Sequence, residues 1–122
     1  MTAPRVISND RAVAVIGAGS WGTALAVQLG RSGMAVRLWV RDPALARAIG
    51  AARENARYLP DVPLPESVVA TADPVEALDG SDLVILAVPS HFLRGVLQPM
   101  AAAIPSGAVL LSATKGLEPS SA

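Results

Sequence analysis

A chain of 122 residues, 52% of them hydrophobic, is long enough for one domain with a single core. Ten Lys and Arg residues balance ten Asp and Glu residues, which argues against a nucleic-acid partner or an anionic membrane surface, and no apolar run reaches the roughly 18 residues of a membrane span. The absence of Cys and the single His exclude disulfides, thiolate zinc sites and most histidine metal sites, so we expect no metal and a cytoplasmic protein.

Strands and helices are predicted to alternate along the chain. Residues 1–10 lack the apolar segment of a signal peptide and are expected to form a disordered leader before a domain over residues 11–122. In chain order, the predicted elements are strand Ala12–Ile16, helix Trp21–Leu29, strand Ala35–Val40, helix Pro43–Ala56, strand Val68–Ala70, a short helix from Pro74 to near Gly80, strand Leu83–Val88, helix His91–Met100 and strand Val109–Ser112.

Local signals set several of these boundaries. Asp42-Pro43 and Asp73-Pro74 each place a capping residue before a proline at the first helical position. The segment "RYLPDVPLPES", residues 57–67, contains three prolines and is predicted to be an extended loop without a regular element.

This alternation predicts an α/β fold with a doubly wound parallel sheet of the Rossmann type, in the strand order 3-2-1-4-5. In such sheets, ligands bind at the carboxyl ends of the strands, where the strand order reverses. The reversal lies between the first and fourth strands, so the turn after Ile16 and the segment "AVPS" are expected to face the same crevice.

The turn after the first strand reads Gly17-Ala18-Gly19-Ser20-Trp21-Gly22, the spacing G-x-G-x-x-G between a strand and a helix. Gly17 would allow the tight turn, Gly19 would let a diphosphate approach the backbone, and Gly22 would let the helix pack on the strand. A turn that serves packing alone is the alternative. The context favours a dinucleotide cofactor.

The choice of dinucleotide depends on Arg41 and Asp42, which follow the second strand. An acidic residue at this distance commonly binds the ribose 2′-hydroxyl of NAD, whereas an Arg accommodates the 2′-phosphate of NADP. Because Asp42 is also predicted to cap a helix, Arg41 favours NADP(H), and NAD(H) stays open. A solvated surface charge is the alternative for Arg41.

Five motifs in order carry a family resemblance: "GAGSWGTALA", "WVRD", "RENARYLPDVPLPES", "AVPSHFLRGVL" and "TKGLE". Together they resemble the bacterial-type NAD(P)-dependent glycerol-3-phosphate dehydrogenases, from about Ala12 to Glu118. The resemblance implies an enzyme that transfers hydride reversibly between a nicotinamide cofactor and the pair dihydroxyacetone phosphate and sn-glycerol 3-phosphate, for glycerophospholipid synthesis. The small-molecule substrate would be the partner.

The resemblance also implies roles for individual residues. Beside the glycines, Ser20 and Trp21 match cofactor contacts, and Arg41 matches a position at the adenosine end. Tyr58 belongs to a loop that borders the cofactor. The alternative for Trp21 is a core aromatic on the inner face of its helix, and that for Tyr58 is an anchor of the proline-rich loop.

Two further positions follow from the same resemblance. Phe92 matches a position near the nicotinamide, with a core Phe as the alternative. Lys115 matches a contact to both substrate and cofactor, and a solvated charge is its alternative. An ammonium group there could hold the substrate or stabilise charge on its carbonyl oxygen.

The family is much longer than this chain and carries its proton-transfer lysine in a second, largely helical domain. We therefore expect this chain to be the cofactor-binding part, with no catalytic residue of its own, to bind cofactor without turnover, and to expose apolar surface near residues 109–122. The oligomeric state stays open, a homodimer included. The alternatives are a stand-alone redox-sensing module and another dehydrogenase, such as a 6-phosphogluconate or 2-hydroxyacid type.

Overall fold

Strands and helices alternate in a computed structural model that describes residues 12–113, so the predicted leader lies outside the described residues. The elements are β1 (Ala12–Ile16), α1 (Ser20–Arg31), β2 (Ala35–Trp39), α2 (Pro43–Ala52), β3 (Glu54–Asn55), β4 (Leu59–Pro63), β5 (Val68–Thr71), α3 (Pro74–Leu78), β6 (Leu83–Leu86), α4 (Ser90–Met100), a 3₁₀ turn (Ala101–Ala103) and β7 (Val109–Ser112).

Five strands form one parallel sheet in the order β5-β2-β1-β6-β7. Because β5, β6 and β7 are the predicted third, fourth and fifth strands, the predicted order 3-2-1-4-5 is confirmed. Ile16 of β1 pairs with Trp39 of β2 on one side and with Leu86 of β6 on the other. The carboxyl ends of these three strands are therefore level at one edge, where the strand order reverses.

The two faces of the sheet carry separate apolar cores. Successive side chains along a strand point to opposite faces. Val13 and Val15 accordingly pack in a cluster with residues of α1 and α2, whereas Ala14 and Ile16 pack in a cluster with residues of α3 and α4. Both clusters are buried, which explains why β1 contains only apolar residues.

The predicted second helix is too long, because α2 ends at Ala52. Arg53 adopts a left-handed conformation (φ 57°), and its N–H donates to the Ile49 carbonyl at 2.8 Å, which closes the last turn. Reversing the chain here starts β3 at a position that was predicted to be helical. The end of α2 thus depends on Arg53, a left-handed residue at a position where the usual sequence signal, a glycine, is absent.

The prediction of an irregular loop over residues 57–67 is wrong for Leu59–Pro63, which form β4 and pair antiparallel with β3. Proline lacks an N–H donor and is tolerated where a strand has a neighbour on one side only. The pair β3–β4 is a separate two-stranded sheet, so β4 needs hydrogen bonds along one edge. The prolines exclude β4 from the main sheet without preventing a hairpin.

Candidate cofactor site

The turn between β1 and α1 uses its three glycines for different reasons. Gly17 has φ +121°, and a Cβ there would lie 2.7 Å from the Ala87 carbonyl oxygen. A Cβ on Gly22 would overlap the Gly17 carbonyl oxygen. A Cβ on Gly19 would meet no atom of the described residues within 4 Å. Packing therefore requires Gly17 and Gly22, whereas the open side of Gly19 is available to a ligand.

Helix α1 begins immediately after Gly19 with its end open to an anion. No side chain among residues 12–113 caps this end by a hydrogen bond, and the first turn contains no acidic residue. Helix α2 packs on the same face of the sheet as α1, and its start is capped by the Asp42 carboxylate, which accepts from the Ala44 N–H at 2.9 Å. The first amides of α1 and its positive dipole end thus remain to bind a negative group such as a diphosphate.

A cleft of about 600 Å³ lies over the carboxyl ends of β1, β2 and β6. This volume is within the range of small-molecule sites. It brings together five of the predicted site residues, namely Gly17, Gly19, Arg41, Tyr58 and Phe92. Its wall also contains Asp42 and four residues of the two segments that were expected at the crevice, namely Ala18, Ala87, Val88 and Pro89. The residues that were not predicted there are Trp39, Val40, Leu45, Arg57 and Val96. Trp39 and Val40 end the predicted second strand, which was their signal in the sequence. Leu45 and Val96 belong to predicted helices that follow strands, and Arg57 begins the proline-rich segment.

Tyr58 and Phe92 present aromatic rings at the cleft. Tyr58 is 42% exposed, and the Arg57 guanidinium carbon lies 5.8 Å from the centroid of its ring. Phe92 is 49% exposed on the first turn of α4, with its ring centroid 4.2 Å from that of His91. The core alternative for Phe92 is therefore wrong, because the ring faces the cleft rather than the sheet.

Arg41 and Asp42 both line the cleft but differ in the contacts of their side chains. One carboxylate oxygen of Asp42 is held by the first turn of α2, as the sequence predicted. Arg41 is exposed where β2 ends, and it also borders a smaller neighbouring cavity of about 350 Å³. Arg41 thus borders both cavities, whereas the Asp42 carboxylate is engaged at the start of α2.

Ser20, Trp21 and Gly22 lie beside the cleft and not in its wall. The Ser20 hydroxyl donates to the Tyr58 carbonyl at 2.8 Å, which ties α1 to the β3–β4 hairpin. The Trp21 indole N–H donates to the Ala113 carbonyl at 2.9 Å, and the side chain is 38% exposed. The core alternative for Trp21 is therefore also wrong.

Lys115 lies outside the described residues. Within residues 12–113, no group of three or more His, Asp or Glu side chains is placed to hold a metal ion. None of the helices in that same stretch is long and apolar enough to cross a membrane.

Comparison with known proteins identifies the family. The family model described as NAD-dependent glycerol-3-phosphate dehydrogenase N-terminus matches residues 12–122. A glycerol-3-phosphate dehydrogenase [NAD(P)+] of Halorhodospira halophila is 55% identical over 106 residues, 87% of this chain and 31% of the relative. One from Corynebacterium aurimucosum is 52% identical over 106 residues, 87% of this chain and 32% of the relative.

The fold agrees with this similarity. The crystal structure of glycerol-3-phosphate dehydrogenase from Coxiella burnetii superposes with a TM-score of 0.81 at 35% identity, covering 86% of this chain and 32% of that one. This chain thus spans about a third of the length of the relatives that it matches. From the match over residues 12–122 and these identities, the chain belongs to the family of N-terminal domains of NAD-dependent glycerol-3-phosphate dehydrogenases.

Proposed function

We propose that this chain binds a nicotinamide dinucleotide in the 600 Å³ cleft and supplies the cofactor half of the NAD(P)-dependent reduction of dihydroxyacetone phosphate to sn-glycerol 3-phosphate. The observation that carries the proposal is the open side of Gly19 above the uncapped start of α1. Packing does not account for a glycine at this position, whereas a diphosphate that approaches the backbone does.

Each predicted residue has a role in this proposal. The diphosphate lies over Gly17 and Gly19 at the amides of Ser20 and Trp21, with Gly22 allowing the close packing beneath. Arg41 lies at the adenosine end, where its planar guanidinium pairs with a 2′-phosphate and favours NADP(H) over NAD(H). Tyr58 and Phe92 contribute aromatic surface to the walls, Phe92 near the nicotinamide.

Lys115 is proposed to contact the substrate and the nicotinamide end of the cofactor. Support comes from the last described residue, Ala113, whose N–H donates to the Leu86 carbonyl at 2.9 Å and whose carbonyl accepts from Trp21. The chain therefore leaves β7 beside the carboxyl end of β6 and the start of α1. Lys115 follows two residues later.

The bound dinucleotide would supply the hydride. The residues of this chain would bind the cofactor, orient it across the edge of the sheet, and exclude water from its apolar surfaces with side chains such as Val88 and Val96. Binding and orientation are the contributions that this arrangement can make.

Titration of the chain with NADPH and with NADH, followed by tryptophan fluorescence, tests the proposal. Trp39 lies in the cleft wall and Trp21 beside the turn, so we expect saturable quenching. We expect Arg41→Ala to weaken NADPH binding about tenfold and to change NADH binding by less than about twofold, because one charged contact to phosphate is lost. Arg47→Ala, an exposed Arg of α2 away from the cleft, is the matched control. Equal loss for both dinucleotides would contradict the role of Arg41, and no quenching would contradict the proposed function.

We also predict that the chain by itself does not oxidise NADPH in the presence of dihydroxyacetone phosphate. Its proposed residues bind and orient the cofactor, and the chain spans about a third of the length of the relatives that it matches. The measurement is the loss of NADPH absorbance at concentrations that saturate the cofactor site. Turnover above the rate without protein would contradict this prediction while leaving the binding proposal intact.

A further inference from the structure

Asn55 is buried to 1% exposure beneath the glycine-rich turn and outside the wall of the cleft. A buried amide requires hydrogen-bond partners, and all three partners of Asn55 belong to the proposed cofactor site or to its support. Its Nδ2 donates to the Ala18 carbonyl and to Thr23 Oγ1, each at 2.9 Å. Its Oδ1 accepts from the Tyr58 N–H at 3.3 Å. One side chain of β3 thus joins the turn, α1 and the Tyr58 segment.

The bond to Ala18 fixes the orientation of the peptide group between Ala18 and Gly19. The Ala18 carbonyl also accepts from Thr23 Oγ1 at 3.3 Å, so two donors hold this oxygen towards the protein interior. In a planar trans peptide, the carbonyl and the following N–H point in opposite directions, and no cis peptide occurs in the described residues. The Gly19 N–H is therefore directed away from Asn55, and Gly19 itself lines the open cleft.

We propose that Asn55 is a positioning residue that turns the Gly19 amide towards the cofactor diphosphate and keeps the Ala18 carbonyl dipole away from it. This inference rests on the proposed function. If this peptide flipped, a carbonyl oxygen would face the two negative phosphates in place of an N–H donor. The same side chain sets the Tyr58 segment against the turn, together with the bond from Ser20 to the Tyr58 carbonyl.

Asn55→Asp is the sharpest variant because the two side chains have the same shape. Aspartate keeps an acceptor for the Tyr58 N–H and replaces the donor by an oxygen that repels the Ala18 carbonyl. Thr23→Val is a second variant of similar side-chain volume: it removes one donor to the same carbonyl and one acceptor of the Asn55 Nδ2, but it leaves the bond from Asn55 to Ala18 in place. Thr71→Val is the matched control: Thr71 is 8% exposed, its hydroxyl bonds Glu76 and the Asp73 N–H beside α3, and it is not part of the cleft wall.

The experiment follows the Gly19 amide of the full 122-residue chain by ¹H–¹⁵N NMR during titration with NADH and with inorganic pyrophosphate. For Asn55→Asp, we expect an NADH Kd raised about tenfold and a Gly19 cross-peak that no longer shifts with pyrophosphate. We expect about a threefold rise for Thr23→Val and less than a twofold change for Thr71→Val.

The NADH Kd is calculated for the folded fraction, which is measured on the same samples from the native cross-peaks. If Asn55→Asp does not fold, the Kd of Thr23→Val tests the inference. An NADH Kd within about twofold of the unmodified chain for folded Asn55→Asp or Thr23→Val would overturn the inference alone, and so would a Gly19 cross-peak of folded Asn55→Asp that still shifts with pyrophosphate. No NADH binding by the unmodified chain would overturn the proposed function and the inference with it.

Discussion

Gly19 and Gly22 belong to one turn, but the structure separates what each glycine does. The space that a Cβ of Gly22 would need is occupied by the Gly17 carbonyl, whereas the corresponding space at Gly19 is empty of described atoms. Gly19 has φ −75° and ψ −167°, an extended conformation that alanine adopts without strain. A side chain at Gly19 should therefore affect ligand binding and leave stability unchanged, whereas a side chain at Gly22 should lower stability.

We predict that Gly19→Ala keeps the free energy of unfolding within about 1 kcal/mol of that of the unmodified chain. The same change should raise the NADH Kd about tenfold or more, because the added methyl group fills the diphosphate position. Gly22→Ala should lower the free energy of unfolding by about 3 kcal/mol or more, through overpacking against backbone. Urea unfolding and NADH titration measure both. Gly50→Ala on α2, with open space around it, is the control and should be neutral or stabilising. Normal NADH binding by Gly19→Ala would contradict the role of its open side.

At the scale of elements, the β3–β4 hairpin is held by Arg53. Its carbonyl accepts from the Leu64 N–H at 2.8 Å, and its Nη2 donates to the Pro65 and Val68 carbonyls at 2.7 and 2.9 Å. Arg53 therefore ends α2 with its backbone and fastens the chain after the hairpin to the start of β5 with its side chain. The hairpin carries Asn55 and precedes the buried Leu64, so its position affects both the core and the site.

We predict that Arg53→Ala lowers the free energy of unfolding by about 2 kcal/mol, because two partly buried carbonyls lose a charged donor. Arg53→Lys should recover part of this loss, since an ammonium reaches one carbonyl more readily than two in a fixed fork. Arg47→Ala, an exposed Arg on the same helix, should change stability by less than about 0.5 kcal/mol. Equal unfolding midpoints in urea for Arg53→Ala and Arg47→Ala would show that the side chain does not hold the hairpin.

At the scale of the whole molecule, the two edge strands of the sheet differ in burial, since β5 contains two buried residues and β7 contains none. Every residue of the edge strand β7 is exposed, including Val109, Leu110 and Leu111 at 57%, 44% and 51%. This agrees with the exposed apolar surface that was expected from Val109 onward, within the part that the structure describes. Among residues 12–113, no strand pairs with the outer edge of β7, and an uncharged edge strand of this kind favours pairing with another chain.

We predict that the chain self-associates through β7 and that Leu111→Lys weakens this association about tenfold, because a charge on an edge strand opposes strand pairing. Sedimentation velocity over a range of protein concentrations measures the association. Val75→Lys is the matched control, since Val75 is 63% exposed on α3 and not on a sheet edge. A monomer at all concentrations, or an equal effect of Val75→Lys, would contradict this prediction.

The local signals of the sequence determined the order of the strands and helices, the glycine-rich turn, and the caps at Asp42 and Asp73, which the structure confirms. These features depend on residues within a few positions of one another: apolar runs, the Asp-Pro pairs, and glycines at fixed spacing. The predicted strand order also follows from the sequence, because the connections between parallel strands obey a general handedness.

Only the tertiary structure decided where α2 ends, that a proline-rich segment forms a hairpin, and that Phe92 and Trp21 are exposed at or beside the cleft. It alone assigned Asn55 to the glycine-rich turn. The physical reason is distance along the chain: Asn55 bonds Ala18 across 37 positions, and Trp21 bonds Ala113 across 92. Periodicity and capping describe neighbours in sequence, whereas these contacts form only when the sheet brings the carboxyl ends of its strands together.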